Sequence, residues 1–255
     1  MSALPSARLP QPPGEFAHPQ YPPAADLADL ADRGEEIRAQ LLRLTSVPAD
    51  TRTRQVTLVA RGRAQAEAAL ASLARGTRTS VVNATPRDRF DATGQTTALN
   101  ALAYRRGVVM DRIVNEVTCQ QYPLLPLTSM HTRQLVVAPV RMGMIVTDHS
   151  RLVFPGPRLE TGEGTMWTTR DREILETVTQ LLRGLLKAGR RIPTLPVNDT
   201  NTRLLEVLTC MVNGLTDTAI AARLSVSVRL VQKDIHALKE LAGVGSRIEL
   251  ARALG

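Results

Sequence analysis

The chain has few aromatic residues, two cysteines and no long apolar run. One Trp, three Tyr and three Phe among 255 residues make up 3% of the chain, which argues against an autoinducer-binding domain rich in aromatic side chains. Cys119 and Cys210 lie far apart among apolar neighbours and lack the spacing of metal ligands, a pattern typical of reduced thiols in a cytosol. No segment approaches the roughly 20 apolar residues of a membrane span, and no apolar signal-peptide core is found near Met1. We therefore expect a cytoplasmic protein without a membrane partner.

Several motifs of enzymes and signalling domains are also missing. Gly156, Gly162 and Gly164 lack the strand–turn–helix setting of a phosphate-binding loop. The first strand of the middle region, VTLVA, is followed by Arg61 rather than by the acidic pair of a phospho-acceptor receiver domain. No Ser, His and Asp residues have the spacing of a catalytic triad. The sequence therefore predicts a protein without catalytic residues, metal ligands or a cofactor, that is, not an enzyme.

What is present is a series of helix boundaries in the last fifty-odd residues. Asn213–Gly214 predicts the end of one helix, because glycine adopts a left-handed conformation without steric cost. Thr216 and Ser227 predict the N-caps of the next two helices. Gly243 predicts the end of the longer one, and Ser246 with Glu249 three residues later forms a capping-box pattern. The sequence thus predicts three helices joined by short turns and followed by a fourth, short helix.

The third of these helices, residues 228–242, is amphipathic. Its apolar side consists of Leu230, Val231, Ile235 and Leu238, and its polar side of Arg229, Gln232, Lys233 and His236. A helix of this kind fits the major groove of B-DNA, where Lys can donate to guanine and Gln can bond adenine in bidentate fashion. Asp234 would repel phosphate, so we expect it to turn away from the DNA backbone or to accept from a cytosine amine.

The ordered pattern resembles the LuxR-type helix-turn-helix family over about a fifth of the chain. It is carried by Glu206, Leu208, Gly214-Leu215-Thr216, Ile220-Ala221-Ala222-Arg223-Leu224, Ser227, Val231 and Gly243-Val244-Gly245-Ser246-Arg247. The family's opening Leu-Thr-x-Arg-Glu signature is reduced to Arg203 and a displaced Glu206, and Asp234 stands where His is frequent.

The resemblance implies sequence-specific binding of double-stranded DNA and regulation of transcription, in a bacterial cytoplasm and at the nucleoid when bound. The implied DNA-binding residues are Thr216, Ser227, Arg229, Gln232, Lys233, His236 and Lys239. Because one such unit makes a small interface, we expect a homodimer on a near-palindromic operator. Two alternatives stay open: an RNA-polymerase-binding adaptor, since the helices also resemble sigma-factor region 4, and a degenerate phosphodiesterase with a DNA-binding tail.

Four segments are predicted in the chain. Residues 1–25 read as a disordered tail, because seven of the sixteen prolines lie in the first 23 residues. Residues 26–190 alternate between helical and strand patterns and predict an α/β layered sensor or dimerisation domain. Residues 191–199 are the predicted linker, and residues 200–255 form the all-α helix-turn-helix domain. Within the second segment, a hairpin over residues 144–156 and a long helix over residues 167–189 capped by Thr168 are expected. The apolar face of that helix would serve either as core or as a dimer seam.

The middle region resembles the phospholipase-D-like sensor domain of TrmB-type and actinobacterial LuxR-type regulators. The resemblance is carried by Arg105-Arg106-Gly107-Val108, by the MIVTD–RLVFP hairpin and by the helix after Trp167. A phospholipase site needs His-x-Lys-x₄-Asp; the nearest match, His131-Thr132-Arg133 with Ala138, lacks the Lys and the Asp, so His131 reads as an incidental surface residue. The implied role is sensing, with an unidentified small-molecule effector as a candidate partner. Asp148 and His149 at the hairpin tip read as a solvated turn, or alternatively as the mouth of a ligand site.

The formal net charge of +8 favours a polyanionic partner, but the charge is unevenly distributed. From Asp199 onward seven Lys/Arg oppose six Asp/Glu, a net of +1, so most of the surplus lies upstream. It is concentrated in Arg52, Arg54, Arg61, Arg63, Arg75 and Arg78, and in Arg183, Lys187, Arg190 and Arg191. Either these are arginines on solvated faces, or the second group flanks the duplex and adds sequence-independent affinity.

Overall fold

The computed structural model describes residues 24–45, 55–87 and 90–254. They form an α/β domain built on one eight-stranded sheet, followed by four C-terminal helices. The predicted fold class is therefore confirmed. The predicted N-terminal tail lies outside the described residues up to position 23. Within the described ranges no helix is both long enough and apolar enough to cross a membrane.

The helices and strands follow one another in an irregular alternation. The α/β part contains α1 (Ala24–Thr45), β1 (Thr57–Arg61), α2 (Gly62–Gly76), β2 (Ser80–Thr85), α3 (Gln95–Arg105), β3 (Val109–Val114), α4 (Glu116–Gln121), α5 (Leu125–Thr128), β4 (Gln134–Val137), β5 (Met144–Thr147), β6 (Arg151–Pro155), β7 (Thr165–Thr169), α6 (Arg172–Ala188) and β8 (Arg190–Ile192). The C-terminal part contains α7 (Asp199–Val212), α8 (Asp217–Leu224), α9 (Val228–Ala242) and α10 (Arg247–Arg252).

The sheet is mixed, in the order β1-β7-β6-β5-β2-β3-β4-β8. Its centre is parallel, with β3 between β2 and β4, and every other pairing is antiparallel. The parallel strands are joined through helices, as the connection between parallel neighbours requires. The β5–β6–β7 strands instead form a meander with short connections.

Both faces of the sheet are covered, because successive side chains of a strand point to opposite sides. Ile113 and Val136 pack on one face in a core with α6 and α1. Val114, Leu135 and Val137 pack on the other face in a core that also contains α5 and α7. The C-terminal helices therefore rest on the sheet directly and share its second core.

The amphipathic helix α6 supplies most of the first core. The five residues that read as either core or dimer seam, Ile174, Val178, Leu181, Leu182 and Leu185, have at most 6% of their surface exposed. They lie in the same cluster as α1, Ile113 and Val136. This face is therefore core within one chain and is closed to a second copy.

The prediction of a helix over residues 167–189 was wrong in its first part. Thr165–Thr169 form β7, in which Trp167 lies opposite Phe154 of β6 and Leu58 of β1. A run of Thr and Trp between two partner strands favours the pleated conformation. The helix begins after Asp171, whose side chain accepts hydrogen bonds from the backbone N–H groups of Glu173 and Ile174. Asp171, rather than Thr168, is its N-cap.

The predicted linker begins inside the sheet. Arg190, Arg191 and Ile192 form β8 and pair with β4. Further along, the backbone N–H of Leu195 donates to the carbonyl of Pro126, 3.2 Å away in the turn of α5. The connection to α7 is thus attached to the α/β domain at both of these points.

The tip of the β5–β6 hairpin fixes the segment that leads into β2. Asp148 and His149 adopt left-handed conformations, with φ of 50° and 52°. The Asp148 carboxylate accepts from the backbone N–H groups of Arg78, Thr79 and Ser80 at 2.7–3.1 Å, and from the Thr79 hydroxyl at 2.9 Å. Burial alone would raise the pKa of Asp148, but these donors hold that pKa at about 2. Asp148 therefore anchors the fold and is occupied by its own backbone neighbours.

We predict that Asp148→Asn destabilises the protein at neutral pH by about 1–2 kcal/mol, a value reduced for the partial exposure of the carboxyl group. Asparagine tolerates the left-handed conformation, so the change removes mainly the charge. Because the pKa is lower in the folded state, the stabilisation is present above pH 4 or so and is lost as the pH falls towards 2. Urea unfolding at pH 7 and pH 3 measures this, with exposed Glu160→Gln as the control. A stability gap between Asp148→Asn and the unsubstituted protein that is equal at both pH values would contradict the prediction.

Candidate nucleic-acid interface

Helices α8 and α9 meet at a three-residue turn with well-defined ends. Ser225 ends α8 in a left-handed conformation with φ of 55°. Ser227 caps α9 by accepting from the N–H of Leu230 at 3.2 Å, and Thr216 caps α8 by accepting from the N–H of Ala219 at 3.3 Å. These caps satisfy backbone donors that the first turn of each helix leaves open. The result is a helix-turn-helix arrangement of fixed length.

The two sides of α9 have opposite environments. Val231, Ile235 and Leu238 are buried against α7 and α8, in the core that continues to the sheet. The exposed side chains of α9 are Val228, Arg229, Gln232, Lys233, His236, Glu240 and Leu241. Four polar residues among them, at positions 229, 232, 233 and 236, form a stripe along the first two and a half turns, about 12 Å long at 1.5 Å per residue. This stripe, the α9 stripe below, is shaped to enter a groove.

The acid in this part of the helix is turned away from the α9 stripe. Asp234 has 3% of its surface exposed, and its carboxylate accepts two hydrogen bonds from Arg203 of α7, at 2.7 and 3.2 Å. Asp234 therefore cannot accept from a cytosine amine; of the two expectations, turning away from the backbone is the one that holds. Its partner is supplied by the one recognisable Arg of the reduced opening signature.

The short helix α10 is held by similar contacts. Arg247 donates to the Asp217 carboxylate at 2.5 Å and to the Leu215 carbonyl at 2.6 Å, which joins the start of α10 to the start of α8. The capping box predicted at Ser246 and Glu249 is present, with both reciprocal hydrogen bonds formed. All four helices are thus tied into one unit.

The structure places the predicted site residues in two groups. Arg229, Gln232, Lys233 and His236 lie together on the α9 stripe, while the exposed Thr216 and Ser227 lie at the N-caps of α8 and α9. Lys239 is half-buried, and its Nζ donates to the Gly245 carbonyl at 3.3 Å. It is directed towards the α9–α10 turn, one step beyond the stripe.

Sequence analysis left out one cation close to this surface. Arg223 is exposed at the end of α8, next to the turn, and forms no ion pair with a described residue. Its sequence signal was a basic residue in the last turn of a predicted helix, which reads equally well as a response to the helix dipole.

The basic cluster near residues 183–191 does not extend the α9 stripe. Arg183 and Lys187 project from α6, which packs on the face of the sheet opposite to α7. Arg190 is engaged by both carboxylate oxygens of Glu116, at 2.8 Å. These charges therefore lie in a different layer of the molecule from α9.

His131 is not a surface residue, contrary to the sequence interpretation. It has 7% of its surface exposed and its ring lies 5.5 Å from that of Tyr104. None of the four histidines of the chain is followed two positions later by Lys, so the His-x-Lys pair of a phospholipase site is missing throughout the sequence. His131 therefore has a local role, next to the C-terminal helices.

Comparisons with known proteins find similarity in structure only. No family model and no curated protein sequence matches the chain. TrmBL2, described as an archaeal chromatin protein with a novel mode of DNA binding, is 12% identical with a TM-score of 0.42, and the match covers 64% of each chain. The chain thus spans slightly less than two thirds of the length of that protein.

Two further similar structures belong to different classes. Nuc from Salmonella typhimurium, a phospholipase D family member, is 16% identical with a TM-score of 0.40, over 55% of this chain and 97% of that one. VqmA from Vibrio cholera, solved as a complex with ligand and DNA, is 21% identical with a TM-score of 0.21, over 54% and 60%. Similarities of this size establish neither a family nor a function, so function must be argued from the residues themselves.

We predict that Arg203→Ala destabilises the protein by about 2–4 kcal/mol, because it leaves the Asp234 carboxylate buried without its partner. A double variant, Arg203→Met with Asp234→Leu, should lose less, since no buried charge remains. Urea unfolding of both variants measures this, with Arg172→Ala as the matched control: it breaks an exposed pair with Glu176 and should cost less than about 0.5 kcal/mol. Equal losses in Arg203→Ala and Arg172→Ala would show that the buried pair has no special weight.

Proposed function

We propose that this protein is a sequence-specific DNA-binding transcription regulator of LuxR type, which inserts α9 into the major groove as a homodimer. The observation that carries the proposal is the α9 stripe: Arg229, Gln232, Lys233 and His236 exposed together on a helix whose other side is buried. Their spacing of three and four residues brings them to one face. Major-groove readout needs just such donors and acceptors on the early turns of the second helix of the motif.

The charge of the surface fits this assignment. Asp234 is the one acid between Val228 and Lys239, and Arg203 holds it inside. A DNA strand approaching the stripe therefore meets Arg229 and Lys233 without an opposing carboxylate on these turns. Gln232 between them supplies the amide that can bond adenine, and Lys233 can donate to guanine O6 and N7.

The remaining predicted contacts have supporting roles in the proposal. Thr216 and Ser227 lie at helix N-termini, where exposed N–H groups and hydroxyls can bind phosphate. Lys239 would contribute at the edge of the interface. Because a single unit of this size makes a small interface, we infer that two copies bind half-sites about one helical turn apart. The buried face of α6 is excluded as the seam, so pairing must use another surface.

We predict that the purified protein selects fragments containing a shared inverted repeat from sheared genomic DNA, and that Gln232→Ala/Lys233→Ala abolishes this selection. Losing two base contacts should cost about 1–3 kcal/mol each, enough to bring specific binding near the non-specific level. The control is Gln180→Ala/Lys187→Ala, the same pair of changes at exposed positions of α6, which should select the same repeat as the unsubstituted protein. The spacing of the half-sites reports the dimer geometry.

Equal and salt-sensitive recovery of all fragments by the three proteins would contradict base readout and leave attraction to the DNA backbone alone. The RNA-polymerase adaptor would then be the better reading. It is tested separately with Lys233→Ala, which should lose DNA binding under the present proposal. Under the adaptor alternative, polymerase binding would persist in that variant.

A further inference from the structure

A cleft of about 590 Å³ lies between the α/β domain and the C-terminal helices. One wall is formed by α3 and the turn after α5, including Tyr104, Arg105 and His131. The other is formed by α7 and α8, including Glu206 and Arg223. Its size is within the range of small-molecule sites, which are frequent where two structural units meet.

Each wall of the cleft contributes a guanidinium group. Arg105 and Arg223 are exposed, and neither forms an ion pair with a described residue; Arg105 Nε donates only to the Ala101 carbonyl, at 3.3 Å. Among the described residues that line the cleft, Glu206 is the one acid. The lining therefore has a net charge of +1, which favours an anionic occupant, and a guanidinium presents the planar donor pair that a carboxylate or phosphate accepts.

A buried polar group in the same cleft is unoccupied by protein partners. His131 has more than nine tenths of its surface buried, yet it forms no hydrogen bond with a described residue. Burial, together with the positive charge of Arg105, lowers the pKa of His131 below its usual value, so at neutral pH its ring is uncharged and offers one donor and one acceptor. Buried polar groups are normally satisfied, and the open side of this one is the cleft.

Apolar surface completes the site. The Tyr104 ring is half exposed, at 47%, and is tilted by 58° against the His131 ring. Met130, Leu205 and Leu224 lie along the same lining. A ring or other planar apolar group can pack here while its acidic end reaches the guanidinium groups.

We propose that this cleft binds a small organic anion with a planar apolar part, whose acidic group is held by Arg105 and Arg223 and whose polar edge is bonded by His131. The ligand bridges α3 and α8, so its binding is coupled to the position of the C-terminal helices. If the protein is a DNA-binding regulator as proposed above, any difference in ligand affinity between two such positions changes DNA affinity by the same factor. Binding itself requires no DNA and is tested without it.

The experiment uses the full chain and follows the imidazole C2 proton of His131 by NMR, among the signals of only four histidines. Loss of one signal in His131→Gln assigns it. The added compounds are benzoate and phenyl phosphate, with neutral benzamide as the isostere and acetate as the anion without a ring. We expect a saturable shift of the His131 signal at millimolar benzoate or phenyl phosphate, and the tighter of the two identifies the acidic group preferred.

The variants separate this site from general attraction of anions to a basic protein. Arg105→Gln and Arg223→Gln should each weaken binding at least about tenfold, whereas Arg183→Gln, exposed on α6, should leave it unchanged. All three arginines are exposed, so folding is preserved. The proposal is overturned if no saturable shift occurs, if benzamide binds as well as the anions, or if the three arginine variants behave alike. Each of these results leaves the DNA-selection experiment unaffected.

Discussion

The arrangement of the molecule depends on the burial of α7 against the α/β domain. Leu204, Leu205 and Leu208 belong to one continuous core with Leu125 and Val137, so the sheet and the C-terminal helices have no separate hydrophobic interiors on this side. Burying a leucine contributes about 1.5–3 kcal/mol, which makes detachment of α7 costly. Hydrogen bonds from Leu195 N–H to Pro126 and from the Asn213 side chain to Ala92 add fixed points at both ends of the helix.

Everything functional in the C-terminal unit is positioned through α7. Arg203 projects from it to hold Asp234, and thereby orients α9 with the α9 stripe outward. The face of α9 that carries Val231 and Leu238 closes on the same core. The cleft exists for the same reason, because α7 and α8 contribute its second wall only where they are seated beside α3. A flexible tether would have left neither a defined wall nor a defined direction for α9.

The sequence was informative where the signal is local. Capping residues such as Thr216, Ser227 and Ser246, and the glycine at position 243, depend on contacts within four residues, and the helix ends they predict are present. Residues 165–169 were misassigned because their strand character comes from pairing with β1 and β6, distant in the chain. The inward turn of Asp234 and the burial of His131 had the same obstacle: each depends on a partner more than 20 residues away. The eight-stranded order is likewise a property of long-range pairing. None of the seven proposed DNA contacts is tested by these features, so they stay predictions.

The distribution of charge places a constraint on how such a protein reads DNA. The cations of α6 project from the layer on the far side of the sheet from α7, and Arg190 is neutralised by Glu116. At physiological salt, charges beyond about 8 Å are largely screened, so this cluster adds little to the attraction at α9. The C-terminal unit has a net charge of +1 from Asp199 onward and so releases few counterions on its own. Its affinity must then come from direct contacts of the α9 stripe and from doubling them in a dimer. A weakly charged reading surface of this kind gives up non-specific affinity, which increases the relative weight of base recognition.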